Sequence, residues 1–121
     1  MSEEVKWKRE YYSNGQLLYE IPSVNDQKHG IEKYWYENGQ LCYEIPWING
    51  QKHGIEKSWH YNGQLECEAC WVDGKRYGVV KRWHDNGQVK QNIYYLHNKQ
   101  VSEEEYREYE LICELAGIKD G

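Results

Sequence analysis

The chain has 121 residues, with 15 Lys plus Arg against 20 Asp plus Glu, a formal net charge of -5. Its length suits one domain, and its acid excess sets nucleic acid aside as a partner, because phosphate binding draws on clustered positive charge. Phe is absent while Tyr occurs 12 times and Trp six, and rings with an apolar body and a polar tip favour a thin sheet with wet faces over a deep two-layer core.

The start of the chain, Met1 to Lys6, is charged and has no apolar run behind it, so no targeting segment is expected. No stretch approaches the roughly 18 apolar residues of a membrane span, and a membrane is not expected as a partner. Four Cys in such a chain read as reduced thiols of a cytoplasmic protein.

From there the chain repeats itself. Asn-Gly-Gln occurs at Asn14, Asn38, Asn62 and Asn86, each 24 residues after the last. Tyr11, Trp35, Trp59 and Trp83 keep the same step, as do Gly30, Gly54 and Gly78. Leu17, Leu41, Leu65 and Val89 follow each Gln, and Glu20, Glu44 and Glu68 recur with Asn92 in the fourth copy. A fixed period without insertions is the signature of a repeat architecture.

Each copy reads as two strands and two turns. Asn-Gly between β-rich runs is a strong hairpin signal, since a type I′ turn needs positive φ at both central residues. Eight strands in up-and-down order follow, at about 5–12, 17–24, 31–36, 41–48, 55–60, 65–72, 79–84 and 89–96. A two-residue loop at Asn38-Gly39 sets Lys33 opposite Glu44. The same rule sets Arg9 opposite Glu20, Lys57 opposite Glu68 and Lys81 opposite Asn92, so three copies place opposite charges across the hairpin. Between copies, a loop at Gly50-Gln51 is preferred over one at Asn49-Gly50. The preferred loop joins the Lys and Glu residues into one ladder and sets Gly54 opposite Trp47 and Gly78 opposite Trp71.

After residue 101 the pattern changes. Ser102-Glu103-Glu104-Glu105 reads as a capping box. Tyr106, Tyr109, Ile112 and Cys113 follow at helical spacing, with Leu115 and Ala116 adjacent and Gly117 as a stop. Residues 102–116 are therefore expected as an amphipathic helix that caps the array, with partner docking as its alternative role. The organisation is residues 1–101 as four hairpin repeats and 102–121 as capping helix and tail. The fold class is mainly β, an elongated single-layer antiparallel sheet of tandem hairpins with a C-terminal α-helix.

The units run Gly30-x4-Trp35-x2-Asn38-Gly39-Gln40-Leu41-x2-Glu44 and close on Asn49-Gly50-Gln51-Lys52-His53-Gly54. This pattern resembles the MORN repeat, in the longer bacterial variant of YwqK-type antitoxin-like proteins, over about residues 5–101. The resemblance implies an elongated sheet of hairpins, protein–protein scaffolding, phospholipid contact in some members and an antitoxin role in bacterial ones. It carries over no catalytic residues.

The candidate chemistry narrows accordingly. Cys67-x2-Cys70 has zinc-knuckle spacing, but an odd separation along one strand points the two thiols to opposite faces. His29 and His53 recur two strands apart, about 9.6 Å, too far to share an ion. No metal site and no cofactor are expected. A single-layer sheet offers no dry cleft for a catalytic group, so the chain is not expected to be an enzyme. The aromatic residues remain as binding candidates. Tyr11, Trp35, Trp59 and Trp83 form a row on one face, Tyr34 and Tyr36 belong to the other, and Trp47 and Trp71 recur near the inter-repeat turns. These rings either shield the sheet or form a platform for a partner. A protein partner is the leading expectation. A carbohydrate or small ligand on the Trp row, or a membrane-surface scaffold, are the alternatives. The exposed first strand and the C-terminal helix each offer a route to a homodimer.

Overall fold

The structure, a computed structural model, describes residues 4–117. The starting residues Met1 to Glu3 and the tail after Gly117 lie outside the described residues.

All the strands join one antiparallel sheet. Copy one holds β1 (Lys6–Tyr11) and β2 (Leu17–Val24), and copy two opens with β3 (Gln27–Lys28). Then come β4 (Gly30–Trp35), β5 (Leu41–Ile48), β6 (Gln51–Lys52), β7 (Gly54–Trp59) and β8 (Leu65–Val72). The fourth copy is β9 (Lys75–Trp83) and β10 (Val89–Leu96), followed by β11 (Lys99–Val101) and helix α1 (Glu103–Leu115). The eight expected strands are all present. The short β3 and β6 are additions, each pairing with the strand before it, and in copy four this segment merges into β9.

The turns differ from the sequence reading at both kinds of site. At Asn-Gly-Gln the loop has three residues, Glu37-Asn38-Gly39. The Gly39 amide donates to the Tyr36 carbonyl (3.0 Å) and the Tyr36 amide to the Gln40 carbonyl (2.8 Å). Gly39 alone has positive φ, +88°. This is a type I turn closed by a glycine bulge, and the Asn38 side chain accepts from the Gln40 amide at 2.9 Å. The turn with positive φ at both central residues lies between copies, at Asn49 (φ 48°) and Gly50 (φ 80°). Asn25-Asp26, Asp73-Gly74 and His97-Asn98 match it. The preferred loop at Gly50-Gln51 is thus corrected to Asn49-Gly50.

The charge ladder survives both corrections, because bulges offset them. A three-residue loop would move each strand by one position and turn its side chains to the other face. A second irregularity beside Trp35 leaves Cys42 without a partner and restores the register, so Lys33 faces Glu44. Between copies, Trp47 faces Lys52 while Glu44 faces Lys57, so β7 gains two residues over β5 on the way. Two extra residues conserve the face. Across the copy boundary Trp47 therefore faces Lys52 and Trp71 faces Arg76, so neither ring stands opposite the expected Gly54 or Gly78. What sits against Gly54 from the previous copy is Pro46, whose Cγ lies 3.2 Å from where a Cβ would stand.

The array ends where a glycine should recur. Ser102 occupies the place of Gly30, Gly54 and Gly78. Instead of entering another strand, it caps α1, its hydroxyl accepting from the Glu105 amide at 3.1 Å. The helix packs on β10, with the Tyr106 ring 5.3 Å from Tyr94 and with Tyr106 and Cys113 buried. Leu111, Ile112 and Leu115 face solvent, at 55%, 63% and 79% exposure. Ile112 was expected on the packed side. Docking through Tyr106 turns the helix so that its neighbour Cys113 is the residue covered.

Candidate functional site

Strand alternation divides the sheet into two faces. One carries the charge ladder, with Arg9–Glu20 at 3.0 Å and Lys33–Glu44 and Lys57–Glu68 both at 3.9 Å. The row Tyr11, Trp35, Trp59 and Trp83 lies on this face, next to Leu17, Leu41, Leu65 and Val89. Trp35, Trp59 and Trp83 are half-buried, whereas Tyr11 is 60% exposed. Ile31 and Ile55, on the same face, are exposed, as is Val89. The ladder face therefore offers a broad, mixed apolar and charged surface.

The opposite face holds a feature that the sequence reading missed. Glu32 is 2% exposed, among the most buried side chains of the molecule. Its Oε1 accepts from Lys28 Nζ (3.0 Å) and Trp47 Nε1 (2.8 Å), and its Oε2 from Tyr34 OH (2.6 Å). Copy three repeats the cluster about Glu56, with Lys52 at 3.0 Å, Trp71 at 2.8 Å and the Tyr43 hydroxyl as donors. Lys28 and Lys52 also lie over the rings of Trp47 and Trp71. Burying a carboxylate is costly unless donors surround it, and here three do. Burial alone would raise the Glu32 pKa. The bonds from Tyr34, Lys28 and Trp47, with the Lys28 charge, outweigh it and hold the carboxyl below its ordinary 4.5. The bond to Glu32, and then burial, push the Tyr34 phenol up to about 12.

So Tyr34, Trp47 and Trp71 are ligands of buried carboxylates. Tyr36 serves another purpose, donating to the Trp59 carbonyl of the next copy at 2.6 Å. Tyr12 does the same to Trp35, and His60 Nε2 meets the Trp83 carbonyl. The eight candidate rings therefore do not form one site. Four line the ladder face, three belong to the carboxylate clusters or their donors, and Tyr36 ties adjacent turns. The missed signal was in the period, since Lys28 and Lys52, Glu32 and Glu56, and Trp47 and Trp71 each recur at 24 residues.

Copy four departs from this scheme. Val80 stands at the place of the buried Glu, Arg76 at that of the Lys and Tyr95 at that of the Trp. Arg76 donates to the Tyr95 hydroxyl at 2.8 Å and lies over Trp71 and Tyr95. A recess of about 90 Å³ opens there, lined by residues including Glu56, Ser58, Cys67, Arg76, Val80 and Arg82. Burial raises the Cys67 thiol pKa, against the pull of the Arg82 and Arg76 charges. Cys67 and Cys70 pair with Ser58 and Ile55 in regular alternation, hence on opposite faces.

No helix among the described residues is long and apolar enough to cross a membrane. No curated protein and no solved structure matches the chain. The model of the MORN repeat variant matches four times, at residues 8–25, 28–49, 52–73 and 76–97. These matches span most of the chain and fall in step with the hairpins just described, and the chain belongs to the MORN repeat variant family.

Proposed function

We propose that this chain is a non-catalytic scaffold that holds a protein partner on its ladder face. The observation that carries this reading is the exposure of Tyr11, Ile31, Ile55 and Val89 beside the Trp row, while the opposite face is occupied by its own buried clusters. A row of apolar and aromatic groups left exposed along one face suits an interaction surface. The family supports it, since MORN repeats form non-catalytic interaction scaffolds. In a cytoplasmic setting the role extends to that of an antitoxin or inhibitor, the finer reading that the resemblance to YwqK-type proteins suggests.

The test is affinity capture from the native host with the wild-type chain and with Ile31→Asp/Ile55→Asp. The reading expects a stoichiometric protein partner that the double variant loses at least tenfold. Capture of no partner, or equal capture by a folded double variant, refutes the ladder face as the interface. For the antitoxin role, co-expression with the product of a neighbouring gene should relieve its toxicity. Unrelieved toxicity sinks that role alone.

A further inference from the structure

We propose that the copy-four recess is a binding site for a carboxylate supplied from outside the chain. Copy four differs from copies two and three by substitutions at equivalent positions of the repeat. Copies two and three each hold a cation, a ring donor and a buried carboxylate of their own, Glu32 and Glu56. Copy four keeps the cation as Arg76 and the ring as Tyr95 but replaces the carboxylate with Val80. It also places Arg82 where copies two and three have Tyr34 and Ser58. Val80 is 5% exposed, and strand alternation sets Arg76, Val80 and Arg82 on one face.

The neighbouring carboxylates are already engaged. Glu56 is held by Lys52, Trp71 and Tyr43. Glu66 bonds to Ser58 at 3.0 Å and lies 3.6 Å from His60. Among the described residues neither Arg76 nor Arg82 has an ion pair, although seven contacts of other Lys or Arg side chains to carboxylates are formed. A guanidinium presents a planar fork of donors suited to a carboxylate, and Arg76 is already oriented by its two flanking rings. The recess, about 90 Å³, exceeds the roughly 30 Å³ share of one water and admits a carboxylate head with its first methylene. Arg82 also lines the adjoining cleft with His60, His84 and Lys90, so the recess is open to solvent at that side. The carboxylate has two sources, a free dicarboxylic acid or a glutamate side chain of a bound protein. The site does not depend on the ladder-face reading, because it lies on the opposite face.

The experiment is a titration followed by the Trp71 indole and arginine Nε–H resonances, with glutarate and, separately, with a blocked Gly-Glu-Gly peptide. Two variants accompany the wild type: Arg82→Gln, and Val80→Glu, which gives copy four a carboxylate of its own. Saturable binding in the range of about 1–10 mM is expected for so small a ligand, at least tenfold weaker in Arg82→Gln and abolished in Val80→Glu. Binding of glutarate alone assigns a free acid, whereas binding of the peptide assigns a protein side chain. No saturation by either probe overturns the proposal. So does equal binding by wild type and Arg82→Gln, which decides the matter even if Val80→Glu fails to fold.

Discussion

Replacing Glu32 by Ala should be among the most damaging single changes in the chain. The substitution leaves the Trp47 Nε1–H and the Tyr34 hydroxyl without their acceptor, at present 2.8 and 2.6 Å away. A fully buried donor left without a partner costs about 1–3 kcal/mol, and the half-buried Tyr34 and Trp47 fall in the lower half of that range. Lys28 adds little, because its side chain is 42% exposed and its charge can return to water. The total comes to about 3 kcal/mol, a large part of a typical domain stability of roughly 5–15 kcal/mol. Glu44 is the control on the other face. Its partner Lys33 lies 3.9 Å away and both side chains keep solvent contact, so Glu44→Ala should cost about 0.5 kcal/mol. Urea unfolding of both variants, with unchanged slope, reads the difference directly. A double-mutant cycle with Trp47→Phe should return a coupling of about 1 kcal/mol. If Glu32→Ala costs no more than Glu44→Ala, the buried cluster does not hold the fold together.

Three further expectations follow from the same geometry. Gly54→Ala should destabilise more than Gly15→Ala in thermal unfolding: both have positive φ, but a Cβ at Gly54 meets Pro46 at 3.2 Å and one at Gly15 meets nothing; equal costs of about 1 kcal/mol would show that backbone strain alone matters. Stability should depend on pH at both extremes. The Glu32 pKa is lowered on folding, so its contribution is complete above its unfolded value near 4.5 and is lost as pH falls through the folded value. The Tyr34 pKa is raised from 10.0 to about 12, so its contribution is complete below 10 and is lost as pH rises towards 12. Urea midpoints across both ranges check the two signs, and a Tyr34→Phe variant that still showed the full alkaline loss would refute the second assignment. Ser102→Ala should cost about 1 kcal/mol of helix stability and Ser102→Gly a few tenths; protection of α1 amides in hydrogen exchange measures it, and equal protection in all three chains would show that packing of Tyr106 alone holds the helix.

How much of this was legible beforehand follows the reach of each interaction. The 24-residue period, the hairpin strands, the Lys–Glu ladder and the capped helix rest on turn residues, alternation and near neighbours, and these are written locally in the sequence. The turn types are not. Asn-Gly satisfies both a two-residue type I′ loop and a three-residue loop with a glycine bulge. Contacts between copies accompany the second form at Asn38-Gly39, where the Asn38 side chain donates to the Tyr61 carbonyl (3.3 Å) and Gln16 lies over Gly39. The ladder was anticipated from the wrong loop, and only the unpaired Cys42 brought the register back. The carboxylate clusters are less legible still, because Lys28, Glu32 and Trp47 become neighbours only once two bulges have set the parity of three strands. The repeat and the strand order were therefore determined by the sequence alone, whereas the ladder also needed bulges that only the structure shows. Which glutamates are buried, which rings remain free and which side of α1 faces water were decided by the tertiary structure, since each depends on groups more than one turn apart sharing one face.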